Sequence, residues 1–155
     1  MRRSVKNKSA KKKSSGAKLF VYGTLRNQFG HKLNGLIKSN FELIGKGMLK
    51  GKLFDIGRYP GAVFPKSSEG KIVGEIYQVK DNGDFEAALA ILDKYEGYEK
   101  DNLKKSEYIR QRKYVQLSNG RKVLSWVYVY NKPVMDKRII AGGDYIRHLG
   151  GKSGS

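Results

Sequence analysis

The sequence predicts an α+β domain: a mixed, largely antiparallel sheet curled into a small barrel, with helices packed outside it. Three observations carry this prediction. At least six short apolar or β-branched runs alternate with turns rich in Gly, Pro, Asn and Asp. One strongly periodic helix, Phe85 to Glu96, stands among them. The last run, Lys122 to Tyr130, is apolar on both faces, with Val123, Val127 and Val129 on one and Leu124, Trp126, Tyr128 and Tyr130 on the other. A flat sheet with one wet face has no use for that pattern. A curved sheet covered on both sides does.

The elements follow in order. Leu19 to Tyr22 is a buried strand between glycines. His31 to Lys38 carries Leu33, Leu36 and Ile37 at helical spacing, which predicts a short helix. Phe41 to Ile44 and Met48 to Phe54 read as strands, with Gly45, Gly47 and Gly51 at bends or bulges. Arg58-Tyr59-Pro60-Gly61 is a turn leading into a strand, Ala62 to Phe64, and Ile72 to Val79 is a central strand. Asp81 to Asp84 supplies a turn and a helix N-cap, and Gly97 stands where a helix ends in a left-handed residue. Two long strands close the domain, Glu107 to Leu117 and Lys122 to Tyr130, joined at Asn119-Gly120, a pair that predicts a type I′ hairpin.

With 155 residues the chain is expected to hold one domain, residues 18–148, large enough for a core with a pocket. There is no cysteine, which excludes disulfides, thiolate nucleophiles and cysteine zinc sites. His31 and His148 lack any ligand-like spacing and argue against a metal site or a Ser-His-Asp triad. The net charge is +18, but the first 18 residues hold eight basic and no acidic residues, leaving 24 basic against 14 acidic on the rest. Residues 1–17 therefore read as a disordered basic tail, solubilising in itself and capable of weak nucleic-acid contact. Residues 149–155 read as a flexible C-terminus. Neither a secretory signal nor a membrane-spanning run is seen, so the expectation is a soluble cytoplasmic protein without membrane contact.

The helix from Phe85 carries an anomaly. At about 100° per residue, Phe85, Leu89, Leu92 and Glu96 fall on one stripe, so a carboxylate shares the face that three apolar residues turn to the core. Burial and the negative end of the helix dipole both disfavour its charged form and raise its pKa. That is the tuning general acid/base chemistry uses. A frayed end, with Glu96 paired to Lys94 or Lys100, is the alternative. Glu75 is a second partly buried candidate, in a strand with Val73, Tyr77 and Val79, and reads also as a rim carboxylate paired with an arginine. Asp93 and Glu99 read as solvated. Tyr22-Gly23-Thr24-Leu25-Arg26 ends the first strand, and such a loop can turn several backbone N–H groups toward a ligand carboxylate. By composition alone it is equally an ordinary connection.

These features together resemble the gamma-glutamylcyclotransferase superfamily, and within it the branch of gamma-glutamylaminecyclotransferase and its bacterial relatives. The match runs in order through Tyr22-Gly23-Thr24-Leu25-Arg26, Arg58-Tyr59-Pro60-Gly61-Ala62-Val63, Gly74-Glu75-Ile76-Tyr77, Leu92-Asp93-Lys94-Tyr95-Glu96-Gly97, Tyr108-Ile109-Arg110 with Trp126 to Tyr130, and Gly143-Asp144-Tyr145. The resemblance implies a six- or seven-stranded barrel flanked by helices and a reaction without metal or cofactor. In it, the α-amine of a γ-glutamyl group attacks its own γ-carbonyl, releasing an amine and 5-oxoproline. Glu96 falls on the catalytic glutamate. Tyr22, Gly23, Thr24, Leu25 and Arg26 fall on the substrate-binding loop, and Tyr130 and Arg110 are the pocket candidates on the hairpin. The implied partner is a small γ-glutamyl compound. The alternatives are a binding module of the same fold that does not turn its ligand over, and a basic RNA-associated factor acting through the tail.

Overall fold

The computed structural model describes residues 16–23, 25, 32–66 and 69–153. Residues 1–15 of the basic tail, with Thr24 and Arg26 of the loop, lie outside the described residues. Five strands close a barrel in the order β1 (Lys18–Val21), β5 (Lys71–Val79), β2 (Phe41–Lys50), β6 (Tyr108–Leu117) and β7 (Lys122–Tyr130). Every pairing is antiparallel except the closure, where β1 runs parallel to β7 with Leu19 opposite Trp126. A separate three-stranded sheet has β3 (Lys52–Asp55) at its centre, between β4 (Pro60–Val63) and β8 (Arg138–Ile139). Among the described residues three α-helices accompany the sheets: α1 (Asn34–Asn40), α2 (Phe85–Glu96) and α3 (Tyr145–Ser153). No helix among the described residues is long and apolar enough to cross a membrane.

The α+β barrel expected from the sequence is therefore present, with five strands closing it rather than six or seven; the others form the second sheet. Period-two alternation builds two apolar layers. Phe20, Leu49, Ile72, Ile76, Val115, Val123 and Val127, drawn from all five strands, pack together inside the barrel. The opposite faces contribute Leu19, Val21, Tyr77, Val79, Tyr128 and Tyr130 to an outer layer that Phe85, Leu89 and Leu92 of α2 and Ile37 of α1 cover. The two-faced pattern of β7 has its cause here: Val127 points into the barrel, Tyr128 toward the helix.

Several boundaries differ from expectation. Phe41 to Lys50 is one ten-residue strand, because a bulge between Leu43 and Gly45 absorbs the register shift without ending the pairing with β5. The helix after the loop begins at Asn34 rather than at His31, which itself lies outside the described residues, and runs to Asn40 rather than Lys38. The Asn119-Gly120 hairpin is not type I′, which needs positive φ at both positions. No described residue other than glycine has positive φ. Gly120 N–H donates to Leu117 O at 2.9 Å, and Gly120 alone is left-handed at φ +90°. The result is a three-residue loop, a type I turn followed by a G1 bulge. Finally, α3 continues to Ser153, past the expected boundary at His148, and Leu149 packs against the barrel-interior layer.

Candidate active site

Strand β1 ends at one mouth of the barrel and delivers Tyr22 there. The Tyr22 hydroxyl donates to Tyr128 O at 2.7 Å and accepts from Ala62 N–H at 3.2 Å, tying the start of the loop to β7 and β4. Three residues on, Leu25 is buried, and its carbonyl accepts from the buried Asn34 Nδ2 at 3.0 Å. The described part of the loop is thus tied at Tyr22 to the backbones of β7 and β4 and at Leu25 to a side chain of α1.

Helix α2 brings its last turn to the same place. Asp84 caps its start by accepting from Ala87 N–H at 3.0 Å. Gly97 closes its end at φ +70°, with Gly97 N–H on Lys94 O (3.2 Å) and Tyr98 N–H on Asp93 O (2.9 Å), the two bonds of a Schellman motif. An end closed in this way is not frayed, so Glu96 stays on the stripe with Leu92 and faces inward.

What it faces is a cavity of about 160 Å³ bordered by Tyr22, Gly23, Leu25, Glu96 and Glu107, with the rings of Tyr59, Tyr95, Tyr108 and Tyr128 around it. Glu96 retains some exposure through this cavity. Its carboxyl is nevertheless pushed up to about 8, first by burial and then by the neighbouring negative charges of Glu107 and Asp93. The surrounding phenols are committed donors. Tyr59 donates to Glu107 Oε2, Tyr108 to Pro60 O at 2.7 Å, and Tyr128 to Asp93 Oδ1 at 2.6 Å. The bond to Glu107 pushes Tyr59 up to about 12. Burial raises Tyr22, Tyr108 and Tyr128 further. None of them can serve as a base near neutrality, which leaves proton exchange to the carboxylates.

The structure thus brings Glu96 together with Tyr22, Gly23 and Leu25. It does not bring Arg110 or Tyr130 to the cavity wall. The Arg110 guanidinium forks onto Asp93 (2.8 and 3.0 Å) and lies over the Trp126 ring at 4.5 Å, so it is spent on structure. Tyr130 packs edge-on against Tyr108, centroids 5.3 Å apart, behind the lining residue. Asp93, expected to be solvated, is instead held by Arg110 and Tyr128 from the facing hairpin. Glu75 is buried and accepts from Tyr77 Oη at 3.0 Å, away from the cavity lining. Sequence reasoning missed Glu107 and the tyrosine ring. Nothing local marks Glu107 at the head of β6, whereas Asp93, one turn before Glu96, was legible as its helical neighbour. Among the described residues no group of three or more His, Asp and Glu could hold a metal ion.

A five-stranded barrel with an upward-tuned glutamate at the end of a capped helix, facing a strand-to-helix loop, defines a class of proteins, and comparison identifies it. Residues 19–147 match the family described as gamma-glutamyl cyclotransferase, AIG2-like, and the chain belongs to that family. The gamma-glutamylcyclotransferase family protein YtfP of Escherichia coli K12 is 34% identical over 130 residues, covering 83% of this chain and 96% of that protein. Among solved structures, YkqA of Bacillus subtilis superposes with a TM-score of 0.67 at 27% identity over 90% of this chain, which spans 43% of YkqA. A mouse AIG2-like protein superposes at 0.62 with 24% identity, covering 83% of this chain and 87% of its own, and attests the fold.

Proposed function

We propose that the chain is a γ-glutamyl cyclotransferase, converting a small γ-glutamyl amine or peptide to 5-oxoproline and the free amine. The observation that carries the reading is the shared cavity: Glu96, desolvated at the end of α2, opens on the same space as the Gly23 and Leu25 segment. The loop backbone holds the γ-glutamyl group and polarises its γ-carbonyl. Glu96 takes a proton from the α-ammonium, and the freed nitrogen attacks the γ-carbonyl carbon. As the ring C–N bond forms, Glu96 returns that proton to the leaving nitrogen, whose bond to the carbonyl carbon breaks; the freed carboxylate then takes the surplus proton from the ring nitrogen and passes it to the released amine, which departs as an ammonium. No water is consumed. A carboxyl near 8 lies close to the range of an α-amino group, so transfer in either direction is nearly balanced. The attack is intramolecular, so holding the substrate folded supplies much of the rate without a protein nucleophile.

The test is 5-oxoproline release from a panel of γ-glutamyl amines and dipeptides, comparing wild type with Glu96→Gln, which keeps size and removes proton transfer. Turnover by wild type that falls at least a hundredfold in the variant is expected. Equal inactivity of both proteins across the panel ends the catalytic reading.

A further inference from the structure

We propose that Glu107, oriented by Tyr59, determines specificity by selecting γ-glutamyl substrates whose leaving amine carries a second positive charge. This rests on the cyclotransferase reading of the cavity and deepens it. The mechanism needs one carboxylate, Glu96, yet a second lines the same space. Tyr59 donates its hydroxyl to Glu107 Oε2, fixing the carboxylate at the cavity edge. Its other oxygen, Oε1, lies beside Gly97 at the negative end of α2. Among the described residues lining the cavity there is no lysine, arginine or histidine.

Charge accounting isolates Glu107. The γ-glutamyl group brings one ammonium, which Glu96 serves, and one α-carboxylate, suited to loop N–H groups. Nothing in that half of the substrate neutralises Glu107. The remaining wall is aromatic: Tyr59 and Tyr108 lie 6.2 Å apart at 58°, with Tyr95 and Tyr128 also on the lining. Ring faces attract cations, and a carboxylate beside them adds a charge partner. Such a wall favours an ammonium, accepts an alkyl chain and repels a carboxylate.

The test uses γ-glutamyl derivatives of diaminobutane, pentylamine and γ-aminobutyrate, which end in ammonium, methyl and carboxylate at similar length. For the full-length wild type, kcat/KM for 5-oxoproline release is expected to favour ammonium over methyl by roughly tenfold, and methyl over carboxylate by a similar factor. Glu107→Gln collapses the ammonium preference to within about twofold, and Tyr59→Phe, which frees the carboxylate, weakens it in part. Equal kcat/KM for the three compounds in wild type overturns the proposal. So does a Glu107→Gln variant that loses the same factor on all three, because the carboxylate then serves the common γ-glutamyl half. Should none be turned over, the catalytic reading fails separately, and calorimetric binding of the same compounds decides the role of Glu107. An ammonium preference lost in Glu107→Gln sustains it; no preference, or no binding, removes it. The wild-type ranking needs no variant, so a substitution that impairs folding leaves the test intact.

Discussion

The hydroxyl of Tyr22 donates at 2.7 Å to the backbone carbonyl of Tyr128, a residue 106 positions further along the chain. The same tyrosine that opens the loop is thereby fixed to the strand whose side chain, through Asp93, braces the helix carrying Glu96. Loop and carboxylate are positioned by one connected set of contacts, and the predictions below probe its members.

Tyr22→Phe keeps the ring and leaves Tyr128 O and Ala62 N–H without their buried partner. A loss of about 1–3 kcal/mol in urea unfolding is expected. KM for γ-glutamyl substrates should rise more than kcat falls, since the hydroxyl holds the loop and does not touch the reacting atoms. An unchanged KM removes Tyr22 from loop positioning.

Glu96→Gln should alter the pH dependence of stability. Glu96 is raised from 4.5 to about 8 in the folded protein, so the folded state binds the extra proton between those values. Its stabilising contribution is full below pH 4.5 and is lost as the pH rises through 8. The variant lacks this loss. Its stability relative to wild type is expected to grow from pH 5 to pH 8.5, by on the order of 3 kcal/mol. Unfolding curves at the two pH values that differ by a constant offset show that Glu96 is ionised throughout.

Asp93→Asn removes a negative charge that holds Glu96 up. The acidic limb of the kcat/KM profile should move to lower pH, while stability falls by about 1–3 kcal/mol because Arg110 and Tyr128 lose an ionised acceptor. The shift of the limb separates this from a merely structural effect. An unmoved limb shows that Asp93 does not act on Glu96.

Gly97→Ala places a Cβ at φ +70°, with its nearest neighbour, Glu107 Cβ, at an ordinary 3.5 Å. The cost is therefore backbone strain rather than a clash, about 1–2 kcal/mol. Because the same residue ends the helix under Glu96, kcat should fall along with thermal stability. A variant as stable as wild type contradicts the capping role.

Local rules were enough for much of this. The stripe of Phe85, Leu89, Leu92 and Glu96 follows from 3.6 residues per turn, Asp84 and Gly97 from the needs of helix ends, and the two-faced β7 from period-two alternation. These depend on neighbours within a few residues, so they can be read along the chain. The carboxylate on the wrong face and the loop before the first helix were both legible in this way. Tertiary structure decided the rest. It closed the barrel with five strands, because the parallel β1–β7 pairing joins segments about a hundred residues apart whose register no local pattern records. It turned Asp93 from a solvated residue into an acceptor for Arg110 and Tyr128, and so drew Arg110 away from the cavity. It also set Glu107, an unremarkable residue at the start of a strand, beside Glu96. A carboxylate's chemistry depends on the charge and burial that distant segments bring to it, and only the closed fold assembles those.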